Sequence, residues 1–328
     1  MKRYLIESPE IDDRAGLFEK EWMLADGAGG YAMGTVAGAC TRRYHGLFIP
    51  SLNPPADRRV LVKAIECFLE TAEGSIGLSC NRYRNAVYPE GHLYLHSFSV
   101  GESAVWTYRV GGSVIERELA LNAGTAEVRY RNLGASRIRL RLQPLLVNRD
   151  HHGEQHASDE ADFSLLKIEP SPDWKREEDA CWHYGFTHDE EARRSLATEE
   201  DAYRPFSLLA DLEPGESQTV RFSVPSLSFP TQTTTGVSAD DEFLEAAQRF
   251  LVRSRDRTTI LAGYPWFSDW GRDTMISLPG TLLAAGRVEE ARQTILGYAR
   301  AMRNGLIPNR FSDDGKGADY NTADGTLW

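Results

Sequence analysis

Two short segments of the sequence mix aromatic and acidic residues in a way that suits sugar chemistry. The first runs from Tyr264 to Thr274 and the second from Asp319 to Trp328. Apolar faces of sugar rings stack on aromatic side chains, and sugar hydroxyls need fixed polar partners. The same aromatics could instead fill a hydrophobic core, with the acids as helix caps. The presence of two such clusters, joined through a predicted helical hairpin, favours a sugar site.

Arg272 and Asp273 are the candidates for holding a sugar. A guanidinium offers five N–H donors in a planar fork, and a carboxylate accepts from two hydroxyls at once. These two residues follow Trp270 just before a predicted helix, so they could hold neighbouring hydroxyls of a terminal sugar. The alternative is a local ion pair in which Asp273 caps the helix, and the spacing leaves both possibilities open.

Asp324 is the candidate proton donor. It follows Tyr320 and precedes Trp328, at the start of a predicted third helix. Desolvation among aromatics raises the pKa of a carboxylic acid, so that it keeps a proton near neutral pH, as a general acid requires. The alternative is again a helix N-cap.

Three arginine-containing loops stand out in the first half of the chain. They contain Arg43, Arg82 and Arg149. We expect Tyr44, His45 and Arg82 to line the interface with the helical part. The pair His151 and His152 raises the question of a metal, but adjacent side chains diverge on a strand and no third ligand has a recognisable spacing. We therefore predict no metal and no cofactor.

The spacing of apolar residues divides the chain into two parts. Up to about residue 230, short runs of alternating polarity are separated by turns, as at Gly111-Gly112 and Pro214-Gly215, and Arg137–Leu142 alternates strictly. Many short strands predict a β-sandwich. We assign residues 1–230 to this sandwich, 231–240 to a linker and 241–328 to a helical domain.

Beyond the linker, the period changes from two to 3.6 residues. A helix start is predicted at Ser238–Glu242, with apolar positions continuing to Leu251. Two further helices are predicted, over Ile276–Ala285 with a kink at Pro279, and over Val288–Arg303. The apolar stripe of the last helix would be Val288, Ala291, Ile295, Ala299 and Met302.

Composition excludes several classes of partner. The net charge of −11 disfavours nucleic acid and anionic membranes, which need a basic surface. No apolar run approaches the roughly 20 residues of a membrane span, and the first residues do not form a secretion signal. The four cysteines show no CxxC spacing, which indicates reduced thiols. We therefore expect a cytoplasmic protein.

Longer motifs resemble a known family. Glu21–Ala32, followed by Thr41–Leu47, resembles the N-terminal domain of bacterial and archaeal glycogen debranching enzymes. Ala262–Thr274, with Ile307–Phe311 and Tyr320–Asp324, resembles the opening of their amylo-α-1,6-glucosidase domain. The resemblance covers nearly the whole chain, in order.

The resemblance implies a super-β-sandwich followed by an (α/α)6 barrel, related to glucoamylases. It implies that Arg272 and Asp273 hold the non-reducing-end glucose, that Trp270 lines the pocket and that Asp324 is the general acid of an inverting mechanism. The substrate would be glycogen or a branched α-glucan such as limit dextrin. The further candidates for substrate binding are Trp266, Asn309, Tyr320, Asn321, Arg43, His45 and Arg82.

Twelve helices close such a barrel, and this sequence predicts about three. No residue matches the catalytic base, which we expect beyond Trp328. We therefore expect an incomplete barrel, a truncated chain without turnover and an exposed apolar patch on the helices.

Two alternatives remain open. The first is glucoamylase-like α-1,4 cleavage or trehalose hydrolysis, and the second is a non-catalytic glucan-binding protein. Linkage preference and oligomeric state do not follow from the sequence.

Overall fold

Alternating polarity produces strands through the first two thirds of the chain, and helices follow. The computed structural model describes residues 4–7, 10–227, 242–253, 258–312 and 317–328. The predicted linker at 231–240 lies outside them. We call the described residues up to 227 the β-rich region and the described residues from 242 onward the C-terminal region.

The strands, in chain order, are β1 Tyr4–Ile6, β2 Glu21–Ala25, β3 Tyr31–Thr35, β4 Gly46–Ile49, β5 Ser51–Asn53, β6 Ala56–Thr71, β7 Gly74–Gly77, β8 Cys80–Tyr83, β9 Ala86–Glu90, β10 Leu95–Val100, β11 Ser103–Val110, β12 Ser113–Asn122, β13 Thr125–Asn132, β14 Ile138–Asp150, β15 Lys167–Pro170, β16 Lys175–Glu177, β17 Cys181–Thr187, β18 Glu199–Arg204, β19 Ser207–Leu212, β20 Ser217–Ser223, β21 Leu251–Arg253, β22 Thr258–Ile260, β23 Arg310–Phe311 and β24 Ala318–Asp319. The α-helices are α1 Asp189–Ala192, α2 Glu242–Gln248, α3 Gly271–Leu278 and α4 Val288–Arg300. Short 3-10 helices span Gly16–Phe18 and Gly91–Tyr94.

Two large antiparallel sheets form the β-rich region. One has seven strands in the order β1-β10-β11-β12-β13-β20-β15. The other has 13 strands, with the order β2-β3-β4-β6-β14-β18-β17-β8-β9 along its main path. Trp22 of the larger sheet and Trp106 of the smaller sheet meet edge to face, with ring centroids 5.1 Å apart. Both belong to one buried apolar cluster, so the sheets share a core and the predicted β-rich N-terminal part is confirmed.

Two local predictions in this region are confirmed. Val110 pairs with Ser113 across a two-residue turn, and Gly111 has a φ of 54°, which glycine adopts without strain. In β14, Leu140 and Leu142 are fully buried. Between them, Arg141 is paired with Glu70. Strict alternation therefore placed one face in the core and the other in ion pairs.

The helix predicted from Ile276 starts earlier, at Gly271. It also ends earlier than the predicted Ala285, at Leu278. A π-helical turn over Pro279–Leu283 follows, so the helix changes form at Pro279, where a kink was predicted. Gly286 then adopts a φ of 72°. The early start matters for the site, because Arg272 and Asp273 lie in the first helical turn and Trp270 occupies the N-cap position.

The predicted apolar stripe of α4 is confirmed at Ala291 and wrong at its other positions. The buried residues of this helix are Ala291, Thr294 and Tyr298. Thr294 donates a hydrogen bond to the carbonyl of Thr258 at 3.0 Å, and Tyr298 packs against Phe311 at 5.6 Å. A hydrogen bond to β22 therefore helps to orient the helix. The spacing of apolar residues in the sequence gives no sign of this bond.

Other helical predictions also fail in detail. Helix α2 ends at Gln248, and Leu251 starts β21 instead of continuing the helix. At the predicted start of a third helix, residues 324–328 form a single turn, in which the Trp328 N–H donates to the Asp324 carbonyl at 3.3 Å. That helix stays a prediction.

Apolar side chains of α3 and α4 are exposed, as expected. Val288 is 64% exposed, Ile276 49% and Ile295 47%. No helix among the described residues has the length and apolar character needed to cross a membrane.

Candidate functional site

The N-terminus of α3 is held by the loop that precedes β23. The Gly271 N–H donates to the Asn309 carbonyl at 2.7 Å. A Cβ at position 271 would lie 2.1 Å from the Pro308 carbonyl oxygen, so only glycine permits this approach. The Arg272 N–H donates to the side-chain oxygen of Asn309 at 3.3 Å. Since the first N–H groups of a helix lack partners within the helix, these bonds cap α3.

Asn309 also joins this loop to the second cluster of the sequence. Its side-chain amide donates to Oδ1 of Asn321 at 2.9 Å, and its backbone N–H donates to the Asp319 carbonyl at 2.7 Å. Asn309 is 2% exposed. The structure thus gives this predicted substrate residue the position of a buried connector between α3 and the 319–324 segment.

Arg272 and Asp324 meet as a consequence. Nη1 of Arg272 lies 3.8 Å from Oδ1 of Asp324, and the two side chains are 45% and 52% exposed. Asp273 follows Arg272 on the first turn of α3 and is exposed. The structure therefore brings a fork of donors and two carboxylates to one solvent-accessible end of α3.

The desolvation of Asp324 predicted from its aromatic neighbours is wrong for this structure. The side chain is about half exposed, and Trp328 beside it is 69% exposed. Tyr320 points elsewhere, because its hydroxyl donates to the Ala301 carbonyl at the end of α4 at 2.7 Å. Proximity in sequence did not place these aromatic rings around the acid.

A cavity of about 240 Å³ lies beside this end of α3, between the β-rich and C-terminal regions. We call it the interface cavity. Its volume lies just below the range of about 300–1,000 Å³ that is typical of small-molecule pockets. Its lining comprises Pro55, Ala56, Asp57, Arg58, Asp150, His151, His152, Trp266, Phe267, Ser268, Trp270 and Arg310.

Arg58 ties the two walls of the interface cavity together. Its Nε donates to the Gly29 carbonyl at 2.8 Å and its Nη1 donates to the Pro265 carbonyl at 3.0 Å. The guanidinium also lies 5.1 Å from the centre of the Tyr264 ring, within the range of a cation–π contact. Since Arg58 is 2% exposed, it is a buried link between the regions.

Tyr44 provides a second link. Its ring meets that of Trp266 edge to face at 6.2 Å, and its hydroxyl lies 3.0 Å from Nδ1 of His152. Of the three residues expected at the interface, Tyr44 is the one for which the structure shows a contact with the C-terminal region.

The other β-rich candidates are held within their own region. His45 is fully buried: Thr41 N–H donates to its Nδ1 at 3.1 Å, and its Nε2 lies 2.9 Å from Glu21. Burial lowers the pKa of His45. Although burial opposes it, hydrogen bonds from His45 and Arg42 lower the pKa of Glu21 to about 2. With both ring nitrogens engaged, His45 is a structural residue here, and its predicted contact with substrate is not supported.

Arg43 and Arg82 also have partners in the β-rich region. Arg43 is 8% exposed and pairs with Glu154 at 2.7 Å. Arg82 donates to Asp189 at 2.8 Å and stacks 5.0 Å above Phe18. Neither belongs to the described residues that line the interface cavity. The presence of an arginine in the sequence does not show whether it forms an ion pair within the protein or contacts a ligand.

A buried charge cluster fixes the loop that carries Tyr44. Glu200 is fully buried and accepts from Lys63 at 2.6 Å and from Arg149. Burial alone would raise the pKa of Glu200, but Arg149 and Lys63 hold it well below its usual value. Arg149 Nη2 donates to the Arg43 carbonyl at 2.7 Å. The cluster thereby positions the backbone next to Tyr44.

The adjacent histidines converge instead of diverging. β14 ends at Asp150, so His151 and His152 lie in a turn, and their ring centroids are 4.0 Å apart at an interplanar angle of 38°. Potential ligand atoms of these three residues lie within 4.8 Å of one another. Asp150 is therefore a third potential ligand beside the two histidines, which the spacing of the sequence did not indicate.

Sequence reasoning missed the β-rich side of the interface cavity. Asp57, Arg58 and Asp150 were not singled out, and His151 and His152 were considered only for metal binding. One signal was present in the sequence, since two prolines, Pro54 and Pro55, indicate a turn before Arg58. In the structure Asp57 adopts a φ of 51° at this turn.

Comparison with known proteins agrees with these motifs. Residues 20–219 match the family model described as "Glycogen debranching enzyme N terminal". Residues 242–328 match the model described as "Amylo-alpha-1,6-glucosidase". The glycogen debranching enzyme of Saccharomyces cerevisiae is 45% identical over 71 residues, which are 20% of this chain and 5% of that protein. The chain thus matches only a small part of this relative's length.

Among solved structures, a bacterial glucoamylase complexed with acarbose is similar over 92% of this chain and 51% of that chain, with 14% identity and a TM-score of 0.37. This likeness is too distant to decide the architecture of the C-terminal region. The first family model alone spans more than half of the 328 residues, so the chain belongs to the glycogen debranching enzyme family.

Proposed function

We propose that the protein acts in the hydrolysis of α-1,6-linked glucose at branch points of glycogen or a related α-glucan. The observation that carries the proposal is the meeting of Arg272 and Asp324, 3.8 Å apart, at the exposed end of α3. In this proposal the guanidinium and Asp273 hold hydroxyls of the terminal glucose, Trp270 borders the ring, and Asp324 protonates the glycosidic oxygen.

The arrangement supports these roles in chemical terms. A guanidinium beside a carboxylate presents donors and acceptors together, which matches vicinal hydroxyls. Protonation of the leaving oxygen requires the acid to lie within about 3 Å of it. An inverting reaction pairs this acid with a carboxylate base on the opposite face of the sugar, about 6.5–9.5 Å away. The sandwich at 1–230, the linker at 231–240 and a barrel of the (α/α)6 type from 241 remain part of the proposal.

A non-catalytic glucan-binding role is the second candidate. The half-exposed carboxylate of Asp324 favours it, since a general acid at neutral pH is usually desolvated. In that case Asp324 would accept a hydrogen bond from a sugar hydroxyl and would not transfer a proton.

Calorimetric titration with glucose and with the cationic iminosugar 1-deoxynojirimycin tests the proposal. Charge-assisted hydrogen bonds are about twice as strong as neutral ones. We therefore expect Asp324→Asn to weaken iminosugar binding about tenfold, which is about 1.4 kcal/mol, and to leave glucose binding within about twofold. The control is Glu102→Gln, at an exposed position of the β-rich region.

Equal iminosugar affinity in wild type and Asp324→Asn would contradict the site. In a longer form of the protein that releases glucose from limit dextrin, persistence of this release in Asp324→Asn would instead contradict its role as the acid and leave the binding role in place.

A further inference from the structure

We propose that Asp150, His151 and His152 bind a zinc ion at the turn that follows β14. This inference is independent of the proposed function. The sequence predicted no metal because it showed no third ligand beside the two histidines, and the structure supplies Asp150. Among the residues that the structure describes, this is the only group of three such side chains.

The three side chains lie close to the geometry of a metal site. One potential ligand atom of each lies within 4.8 Å of the other two. In a triangle of that size one point lies within about 2.8 Å of every corner, and zinc binds nitrogen and oxygen at about 2.0–2.2 Å. A movement of about 1 Å by each side chain therefore brings three ligands to bonding distance. Water would take the fourth position of a tetrahedral ion.

Backbone hydrogen bonds hold the turn in this form. The His152 N–H donates to Oδ1 of Asp150 at 2.7 Å, and the Gly153 N–H donates to the Asp150 carbonyl at 3.0 Å. The His151 N–H donates to the Arg58 carbonyl at 3.1 Å. A carboxylate has two oxygens, so Asp150 can accept its bond from His152 and still coordinate an ion. Since the backbone is already fixed, metal binding would cost little conformational entropy.

The hydrogen bond of the His151 ring selects a tautomer that binds metals. Nδ1 of His151 lies 3.1 Å from the Arg58 carbonyl oxygen, which only accepts, so Nδ1 carries the proton and Nε2 carries the lone pair. Metal-binding histidines usually donate their second ring nitrogen to a carbonyl or carboxylate in this way. Nε2 has no hydrogen-bond partner among the described residues and is shielded from solvent. In the proposed site the ion binds the exposed Asp150 and His152 first, and the turn then closes around it to bring in Nε2.

His152 has a comparable partner in Tyr44. Nδ1 of His152 lies 3.0 Å from the Tyr44 hydroxyl. When Nδ1 donates to that oxygen, Nε2 of His152 carries the lone pair and can bind the ion. Tyr44 is therefore a positioning residue in this proposal, since it orients the His152 ring without touching the metal. Because Tyr44 also packs against Trp266, a bound ion would stiffen the contact between the β-rich and C-terminal regions.

The ligand set favours zinc over calcium and magnesium. Two imidazoles and one carboxylate suit zinc and cobalt, whereas calcium and magnesium take mainly oxygen ligands. The carboxylates of Asp57 and Asp150 and the guanidiniums of Arg58 and Arg310 line the adjoining interface cavity, so their formal charges cancel. Since no net negative charge attracts a cation there, binding depends on the nitrogen ligands.

Calorimetric titration of the 328-residue protein with zinc chloride, without a histidine tag, tests the site. We expect one ion per chain. Loss of a hydrogen-bond partner of a metal ligand costs about 10–100-fold in affinity, so Tyr44→Phe should weaken zinc binding about tenfold and His152→Gln at least about 100-fold. Asp150→Asn keeps an acceptor for the His152 N–H and should also weaken binding by more than about tenfold. His96→Gln, at an exposed histidine outside the group, is the matched control and should bind zinc like wild type.

Cobalt and calcium give independent measurements. Cobalt bound at this site should show the visible absorption of a tetrahedral complex, which zinc should abolish by displacement. Zinc should raise the thermal midpoint of wild type but not that of His152→Gln, because a ligand stabilises only the state that binds it. Calcium at the same concentration should change neither midpoint.

Several outcomes would overturn the site. Equal zinc affinity in wild type, His152→Gln and Asp150→Asn would place the ion elsewhere, and so would an equally large loss in His96→Gln. Stabilisation by calcium as large as that by zinc would contradict the histidine ligands. Unchanged affinity in Tyr44→Phe would contradict its positioning role. Urea denaturation without zinc shows whether each variant is folded.

Discussion

Nη1 of Arg272 lies 3.8 Å from Oδ1 of Asp324, although more than fifty positions separate these residues in the chain. The contact exists because Asn309 binds both the start of α3 and the 319–321 segment. Neither charged residue is buried, so the geometry depends on this neutral connector and on Gly271, where any side chain would meet the Pro308 carbonyl.

Asn309 should therefore control both stability and sugar binding. Asn309→Ala removes the acceptor for the Arg272 N–H and the donor to Asn321, and we expect a loss of about 1–2 kcal/mol in the free energy of unfolding. Asn309→Asp keeps an acceptor at the positive end of the helix dipole, so it should lose less. Denaturant unfolding and glucose titration measure the two effects. Equal stability of the Ala variant and wild type would contradict the connector role.

Arg58 should hold the β-rich and C-terminal regions together. Arg58→Met keeps the length of the side chain but leaves the Gly29 and Pro265 carbonyls without their donor. We expect the free energy of unfolding to fall by about 2–4 kcal/mol, measured by urea denaturation. Arg84→Met is the control, because the Arg84 side chain is 81% exposed. A loss no larger than in the control would show that Arg58 is not a link.

Glu66 should make the protein less stable as pH rises. Burial raises its pKa from 4.5 to about 7, although Arg204 and the hydrogen bond from Asn81 oppose this. Between these values the folded state holds a proton that the unfolded state has released, so stability falls from about pH 4.5 to about pH 7. Glu66→Gln keeps an acceptor for Asn81 and removes this loss.

We expect Glu66→Gln to equal wild type at pH 4 and to be more stable by about 2–3 kcal/mol at pH 8. Urea denaturation at both pH values measures the difference. Glu73→Gln, at an exposed residue, should show no such change. A constant difference between Glu66→Gln and wild type at the two pH values would contradict the ionisation argument.

The exposed face of α4 should drive self-association. Val288 and Ile295 are 64% and 47% exposed, and contiguous apolar patches associate in water. We expect sedimentation to show concentration-dependent association, which Ile295→Glu reduces. Gln293→Glu adds the same charge at an exposed polar residue of the same helix and should have little effect. A monomer at all concentrations would show that the patch is inert.

The sequence predicted the β-rich region well because its information is local. Alternation in Arg137–Leu142 and the Gly111-Gly112 turn each determine a face or a reversal within a few residues. The order of the strands in the sheets did not follow, since β6 lies beside β14 through contacts that no local pattern records.

The site was predictable only in part, for a related reason. Motifs identified Arg272 and Asp324, which the structure brings together. They also selected His45, whose ring is engaged by Thr41 and Glu21 inside the β-rich region. Arg58 was missed, because its importance comes from the backbone carbonyls of Gly29 and Pro265 that accept its hydrogen bonds. Every residue has such a carbonyl, so residue types give no sign of these partners.

A structure determined with bound 1-deoxynojirimycin tests the central claim most directly. The account predicts one ligand at the exposed end of α3, with its hydroxyls and ring nitrogen within about 3 Å of the Arg272 guanidinium and the Asp324 carboxylate. A ligand that contacts neither residue, or that binds Arg272 while Asp324 turns away to solvent, would contradict it.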